Sequence, residues 1–437
     1  MTSFADLGLS PKLLTALAKT TLQTPTPIQA QAIPHIMAGR DLMGLAQTGT
    51  GKTAAFGLPL LHRILDLGHP PGPRHVRALI LAPTRELTLQ IKDNLEVFTK
   101  GTAVKITLVV GGASIFKQSQ ALSKGTDVLV ATPGRLIDLL DRGDVSLEKC
   151  AYLVLDEADH MLDMGFIHSL RRIAKHIPQK RQTLLFSATM PKDIEEIADT
   201  YLRDPVRVQV APPGKPIEKI VQGVHYIPQG DKAKLLESYL LKHPGEQALV
   251  FGRTKHGSEK LMKLLDTWGF KVGSIHGNKS QNQRDRTLTE FRNGTLDVLV
   301  ATDVAARGID IPTVRHVYNY DMPNVPENYV HRIGRTARAG AEGTAVAFCA
   351  PAEMGELQAI EKLLKKPLPV IGGAPWAADI VAAVPKPGQH RGRPQGGRPQ
   401  GQGRPQGSKP AGKPAQRPGG GNAPRRPQTN RRGGSQA

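Results

Sequence analysis

Three acids, Asp156, Glu157 and Asp159, follow directly on the apolar run Tyr152–Leu155. A buried parallel strand that ends this way delivers carboxylates to its C-terminal edge, where α/β sheets bind ligands. Acids at such an edge need an opposite charge, and hydrated Mg2+ is the usual one. Upstream, Ala46-Gln47-Thr48-Gly49-Thr50-Gly51-Lys52-Thr53 supplies a complementary half. Its glycines let backbone N–H groups close round phosphates, Lys52 adds a point charge, and the Thr53 hydroxyl can ligate the metal. A strict phosphate-loop pattern has Gly where this chain has Ala46. Alone, each half is a common motif; together they read as a nucleotide triphosphatase.

The elements that must position these groups show in the order of patterns. Ser10-Pro11 opens a helical segment, with Ser10 as its N-cap, and Pro25-Thr-Pro-Ile-Gln29 starts a second helix. Strand-like runs then alternate with helical patterns at 77–83, 104–110, 127–132, 152–155, 183–187 and 206–210. Such alternation implies βαβ units and a parallel sheet covered on both faces. Ala211-Pro-Pro-Gly-Lys-Pro216 has the composition of a linker. A second series follows at 224–227, 248–251, 271–275, 297–301, 316–320 and 344–348. The expected organisation is a first α/β domain over 1–210, a linker at 211–216, a second α/β domain over 217–371 and a tail over 372–437.

Composition sets the partners. The 437 residues carry a formal net charge of +20, which favours a polyanion. From Lys386 onward there are twelve Lys or Arg and no acid, so most of the excess falls in the tail. The tail repeats Gly-Arg-Pro-Gln at 392–395, 397–400 and 403–406 and has no Phe, Tyr or Trp from Lys386 onward. Disorder is expected there, with phosphate attraction but no base stacking. Cys150 and Cys349 lack metal-ligand spacing, so neither a disulfide framework nor a cysteine zinc site is expected, and a reducing compartment fits. The segment Met1–Asp6 does not read as a signal peptide, and no apolar stretch approaches the roughly 18 residues of a membrane span. A soluble, cytoplasmic protein without membrane contact is the expectation.

The ordered motifs carry a resemblance. Ala46–Thr53, Pro83-Thr-Arg-Glu-Leu87, Gly111-Gly112, Thr132-Pro-Gly-Arg135, Asp156-Glu-Ala-Asp159, Ser187-Ala-Thr189, the run from Ala301 to Asp310 and His331-Arg-Ile-Gly-Arg-Thr-Ala-Arg338 stand in the order seen in DEAD-box ATP-dependent RNA helicases. The likeness covers roughly residues 4–350. Asp163-Met-Gly-Phe166 and Ile275–Gln281 look most like the bacterial RhlE-type branch. The resemblance implies two tandem RecA-like domains that close over ATP and Mg2+, clamp single-stranded RNA and open short duplexes.

It also implies roles for single residues. Phe4 and Gln29, in the segment 4–29, would form the adenine pocket, although Thr21-Leu22 departs from the Gly-aromatic pair often found there. A carboxamide can bond both N6 and N7 of adenine. Gln47 to Thr53 would hold the phosphates, Asp310 the ribose, and Thr53 with Asp156 the Mg2+. Glu157 would orient or deprotonate the attacking water, with Arg335 and Arg338 compensating charge from the second domain. Three residues apart, those arginines can share a helical face. Ser187, Thr189 and His331 would couple hydrolysis to strand separation, the two hydroxyls being otherwise turn caps. Thr84, Arg85, Gly112, Thr132 and Arg135, joined by Arg253, Arg284 and Thr302, would form a sequence-independent RNA surface. A DNA translocase and an RNA-annealing factor are the rival readings, and ribosome-assembly or RNA-decay partners are compatible.

Overall fold

The computed structural model describes residues 2–46, 49–65, 67, 71–210, 220–306, 314–337, 342–377 and 380. The expected linker at 211–216 and the tail beyond 380 lie outside the described residues, as do Gln47, Thr48, Asp310 and Arg338. The described chain belongs to one compact unit.

Two parallel seven-stranded sheets organise it. The first comprises β1 (Leu42–Leu45), β2 (Val76–Leu81), β3 (Ile106–Val109), β4 (Thr126–Ala131), β5 (Tyr152–Leu155), β6 (Gln182–Ser187) and β7 (Val206–Gln209), in the order β3-β4-β2-β5-β6-β1-β7. The second comprises β8 (Ile220–Tyr226), β9 (Ala248–Phe251), β10 (Val272–Ile275), β11 (Val298–Ala301), β12 (His316–Asn319), β13 (Gly343–Cys349) and β14 (Val370–Gly372), in the order β10-β11-β9-β12-β13-β8-β14.

Burial explains why the strands read as unbroken apolar runs. β2, β4 and β6 are buried at every position, because helices cover both faces. Alternate residues feed two separate cores: Ile80, Val130, Val154 and Phe186 pack on one face, Leu79, Leu129, Leu153 and Leu185 on the other. In the second lobe Leu249, Leu299 and Val317 face one core and Val250, Val300 and Tyr318 the other.

Two strands escaped the alternation. β1 is only Leu-Met-Gly-Leu, and its Gly44 breaks the apolar run; a Cβ there would lie 2.6 Å from the Phe186 ring, so the sheet leaves no room for one. β14 is a three-residue edge strand with exposed Val370 and Ile371, which needs no apolar pattern at all. β1 positions chemistry: it runs straight into the segment 46–51 and the helix Lys52–Leu65. Since all strands of a sheet run the same way, the loops after β1, β5 and β6 emerge at one edge.

Candidate active site

The loop after β5 turns sharply. Glu157 adopts a left-handed conformation, φ 51° and ψ 52°, and caps the helix Ala158–Asp163. A non-glycine residue held there costs on the order of 1–3 kcal/mol, strain that clusters at functional sites. The turn buries Asp156 and Glu157 side by side, 2% and 3% exposed, with the Glu157 N–H donating to Asp156 Oδ1 at 3.0 Å. From the first turn of the helix Lys52–Leu65, Lys52 Nζ donates to the Ala46 carbonyl at 3.1 Å and stands 3.9 Å from Asp156 Oδ1.

Gly51, at φ +92°, passes so close to Gln29 that a Cβ would meet its Nε2 at 2.4 Å. Gln29 is wholly buried. Its Nε2 donates to the Gly51 carbonyl at 3.0 Å and its Oε1 accepts from the Thr26 N–H at 2.9 Å. The carboxamide therefore fixes the phosphate loop against the helix Pro27–Met37 while retaining one donor and one acceptor site.

These groups line a cleft of about 380 Å3. Gln29, Gly49, Gly51, Lys52, Thr53, Asp156 and Glu157 contribute from the first lobe, and Arg335 enters from the second. Thr21 and Leu22, the departure from the aromatic pattern, also line it, as do Gln90, Asn94 and Phe98. Phe4 is not among the lining residues; it is buried in the first lobe's core with Leu7 and Leu9. Arg335 does not lie on a helical face. The helix Pro326–Ile333 stops at Gly334, and Arg335 sits in the following turn, its Nε donating to the His331 carbonyl at 3.3 Å.

Charge sorts the two carboxylates. Burial pushes Asp156 up to about 6, against the pull of Lys52 and with the push of Glu157. Burial would raise Glu157 too, but the contact with His160 outweighs it, aided by Lys52 and Arg335, and holds Glu157 well below the usual carboxylate range. His160 Nδ1 lies 2.9 Å from Glu157 Oε2.

The coupling residues converge on Asp159. Its Oδ2 accepts from the N–H of Ala188 at 3.2 Å, the N–H of Thr189 at 2.9 Å and the Thr189 hydroxyl at 2.9 Å. Ser187 Oγ donates to the Thr189 carbonyl at 2.7 Å, closing the turn after β6. His331 reaches the same carboxylate from the second lobe, Nε2 to Oδ2 3.9 Å. Burial beside His160 pulls His331 down to about 3, so it stands neutral there. Sequence reasoning quoted Asp159 without a role and missed His160. The only local signal was a third acid after β5 and a histidine beside it.

The groups assigned to RNA divide. After β2, β3 and β4, three loops meet: Arg85 lies so close over Gly112 (φ +70°) that a Cβ at Gly112 would come within 2.0 Å of its guanidinium. Arg135 Nη1 donates to the Ala113 carbonyl at 2.9 Å. Thr84 and Thr132 are buried helix N-caps. From the second lobe, Arg284 Nη2 pairs with Glu86 Oε1 at 2.8 Å, and Gln281 accepts from Arg85 Nη1 at 3.0 Å while donating to Glu86 at 3.3 Å. Arg253 turns inward onto Glu353 at 3.2 Å, Glu356 at 3.4 Å and the Met322 carbonyl at 3.1 Å. Thr302, after β11, is half-buried. Glu86 and Gln281 were not foreseen, because a pairing across lobes leaves no local pattern.

A family model described as DEAD/DEAH box helicase matches residues 26–197, and one described as helicase conserved C-terminal domain matches residues 231–340. The ATP-dependent RNA helicase CshA of Listeria monocytogenes is 43% identical over 376 residues, 86% of this chain and 71% of the relative. S. cerevisiae Dbp5 bound to RNA and ADP BeF3 superposes with a TM-score of 0.77 at 32% identity, covering 85% of this chain and 96% of that one. A variant of the same yeast protein bound to Nup159, Gle1, IP6 and ADP reaches only 0.59 at 30% identity, covering 86% and 98%.

Proposed function

The chain belongs to the DEAD/DEAH box helicase family, and from that premise we propose that its cleft hydrolyses ATP to hold and release RNA, opening short duplexes locally and without regard to sequence. The enzyme is an RNA-stimulated ATPase and ATP-dependent RNA helicase. One observation carries the residue assignments: Lys52, Asp156 and Glu157 from one lobe and Arg335 from the other line the same cleft. The site is therefore complete only while the lobes are together.

Phosphoryl transfer asks for positioning and charge compensation more than for covalent chemistry. Lys52 and the phosphate loop would hold the triphosphate, Gln29 the base, and Asp310 the ribose. Glu157, kept ionised by its cationic surroundings, would accept the proton of the attacking water. Arg335, with Arg338, would meet the charge that develops on the transferred group. The donors near Lys52 fit Mg2+: Thr53 and Asp156 offer hard oxygen ligands, and the buried Asp156 carboxylate is not fully compensated by a lysine 3.9 Å away. Mg2+ held there would supply neutralisation of phosphate charge. Ser187, Thr189 and His331, gathered on Asp159, would pass the state of the cleft between the lobes.

The division into 1–210, 211–216, 217–371 and 372–437 follows the composition and the two sheets. Asp163–Phe166 and Ile275–Gln281 support an RhlE-type branch, against the CshA names of the similar bacterial proteins. Among the described residues no helix is long and apolar enough to cross a membrane, and a cytoplasmic site of action is the simplest setting. The basic tail would add salt-sensitive RNA affinity, and ribosome assembly or RNA decay are candidate settings.

Lys52→Ala and Glu157→Gln test the assignment. Each should abolish RNA-stimulated phosphate release, a loss of at least about a hundredfold, while circular dichroism and RNA binding report an intact fold. Unchanged turnover in either variant would refute it.

A further inference from the structure

Asp159, His160 and His331 bring together more than coupling requires. Their donor atoms lie within 4.8 Å of one another, all three residues are buried, and two come from the helix Ala158–Asp163 while the third comes from the helix Pro326–Ile333 of the other lobe. The two imidazoles meet edge to face with centroids 4.2 Å apart. Asp159 is held in place by the Thr189 turn, as described. His160 is 1% exposed; Nδ1 is bound to Glu157, and Nε2 has no hydrogen-bond partner. A buried imidazole nitrogen without a partner is costly. Carboxylate on Nδ1, open Nε2 and a second imidazole beside it is the arrangement by which proteins orient a histidine toward zinc.

We propose that Asp159, His160 and His331 form a zinc site whose ligand set is complete only when the two lobes are closed, so that zinc acts as an inhibitory clamp. Two imidazoles and a carboxylate suit a borderline divalent ion and disfavour Mg2+, which prefers oxygen. A tetrahedral zinc spaces its ligand atoms about 3.4 Å apart; the donor atoms here lie within 4.8 Å of one another, with His331 Nε2 and Asp159 Oδ2 at 3.9 Å, so binding must draw the three side chains inward. With zinc on Nε2, the Nδ1 proton of His160 stays on the ring and is donated to Glu157. Zinc therefore links the water-facing carboxylate, the Ser187–Thr189 turn and the second lobe, and opposes the reopening that product release needs. The choice of RNA and nucleotide as closing ligands rests on the function proposed above; the ligand set itself does not.

The test is direct zinc binding to the full chain, stripped with chelator, by competition with a chromophoric chelator. Lobe separation is followed on the same samples with a dye pair, one dye on each lobe. With single-stranded RNA and a non-hydrolysable ATP analogue, zinc should bind about tenfold or more tightly than without them. His160→Gln and His331→Gln should each weaken that binding about tenfold or more. Co2+ as a probe should give visible ligand-field bands that His160→Gln removes. A second cluster, His243, Glu246 and His316, lies wholly on the second lobe and serves as the control: His243→Gln should leave the closure-dependent binding intact. Equal zinc affinity with and without dye approach, insensitivity to His160→Gln, or loss in His243→Gln alone would each overturn the proposal. If RNA and analogue fail to bring the dyes together, the functional reading falls, and zinc alone must then draw the lobes together for the clamp to stand.

Discussion

At Asp156 function and stability pull in opposite directions. Its carboxyl, ordinarily near 3.8, is pushed up to about 6 by burial, so the fold disfavours the charged form that a cation would need. That penalty is absent below about 3.8, grows as pH rises and is fully present above 6. For metal-free, nucleotide-free protein, Asp156→Asn should therefore raise unfolding stability at pH 7.5 by about 3 kcal/mol. The gain should shrink as pH is lowered through 6 toward 4.5, while turnover is lost at every pH. Urea unfolding with chelator present reads it; a destabilised Asn variant at pH 7.5 would contradict the electrostatics. Residues such as Lys52, Asp156 and Glu157 were legible from sequence because their chemistry is set by neighbours one to four positions away. Gln29 was legible as a site residue but not as the clasp on Gly51, since that contact joins separate segments. His160 left only its place beside the third acid as a signal, because the imidazole that gives it meaning stands on the other lobe.

Elements depend on polar joints that strand and helix patterns do not display. In the second lobe Lys232, wholly buried at the start of the helix Lys232–Lys242, donates to the Tyr320 carbonyl at 2.7 Å and to Glu353 Oε2 at 2.5 Å. Glu353 also accepts from Arg253 and from the Met322 N–H at 3.0 Å, so one carboxylate ties together the ends of β9, β12 and β13. Lys232→Met would leave that carboxylate buried and short of a partner. The expected cost is about 3–5 kcal/mol, seen as a lowered second-lobe transition in thermal unfolding, with the first lobe unmoved. A shift within about 0.5 kcal/mol would mean the joint is solvated. The sheets themselves were read from alternation, and β1 was missed because Gly44 interrupts a four-residue run. The packing of Phe186 requires that glycine, and no rule of periodicity contains that requirement. The helix-face placement of Arg335 failed for a related reason: spacing of three to Arg338 suggests a helix face, but the helix ends at Gly334 before Arg335 is reached.

Between the lobes, the same arginines that resemble RNA ligands hold the two halves to each other. Arg284 lies 2.8 Å from Glu86, and Arg85 reaches Glu86 through Gln281. The two roles separate by salt dependence. An arginine neutralising a phosphate releases counterions, so its removal lowers the slope of log affinity against log salt by about 0.7 for a single strand. An arginine that stabilises closure contributes to the height of that line and little to its slope. Glu86 faces Arg284 in a largely buried pair, and an acid cannot bind phosphate at all. Glu86→Ala and Arg284→Ala should therefore each weaken RNA binding in the presence of a non-hydrolysable ATP analogue by roughly five- to thirtyfold, with a coupling of about 1–2 kcal/mol in the double variant. Without the analogue, when nothing draws the lobes together, both effects should nearly vanish. A salt slope reduced in Arg284→Ala but not in Glu86→Ala, with no coupling between them, would return Arg284 to the phosphate backbone and leave closure to the contacts around Asp159 and Arg335.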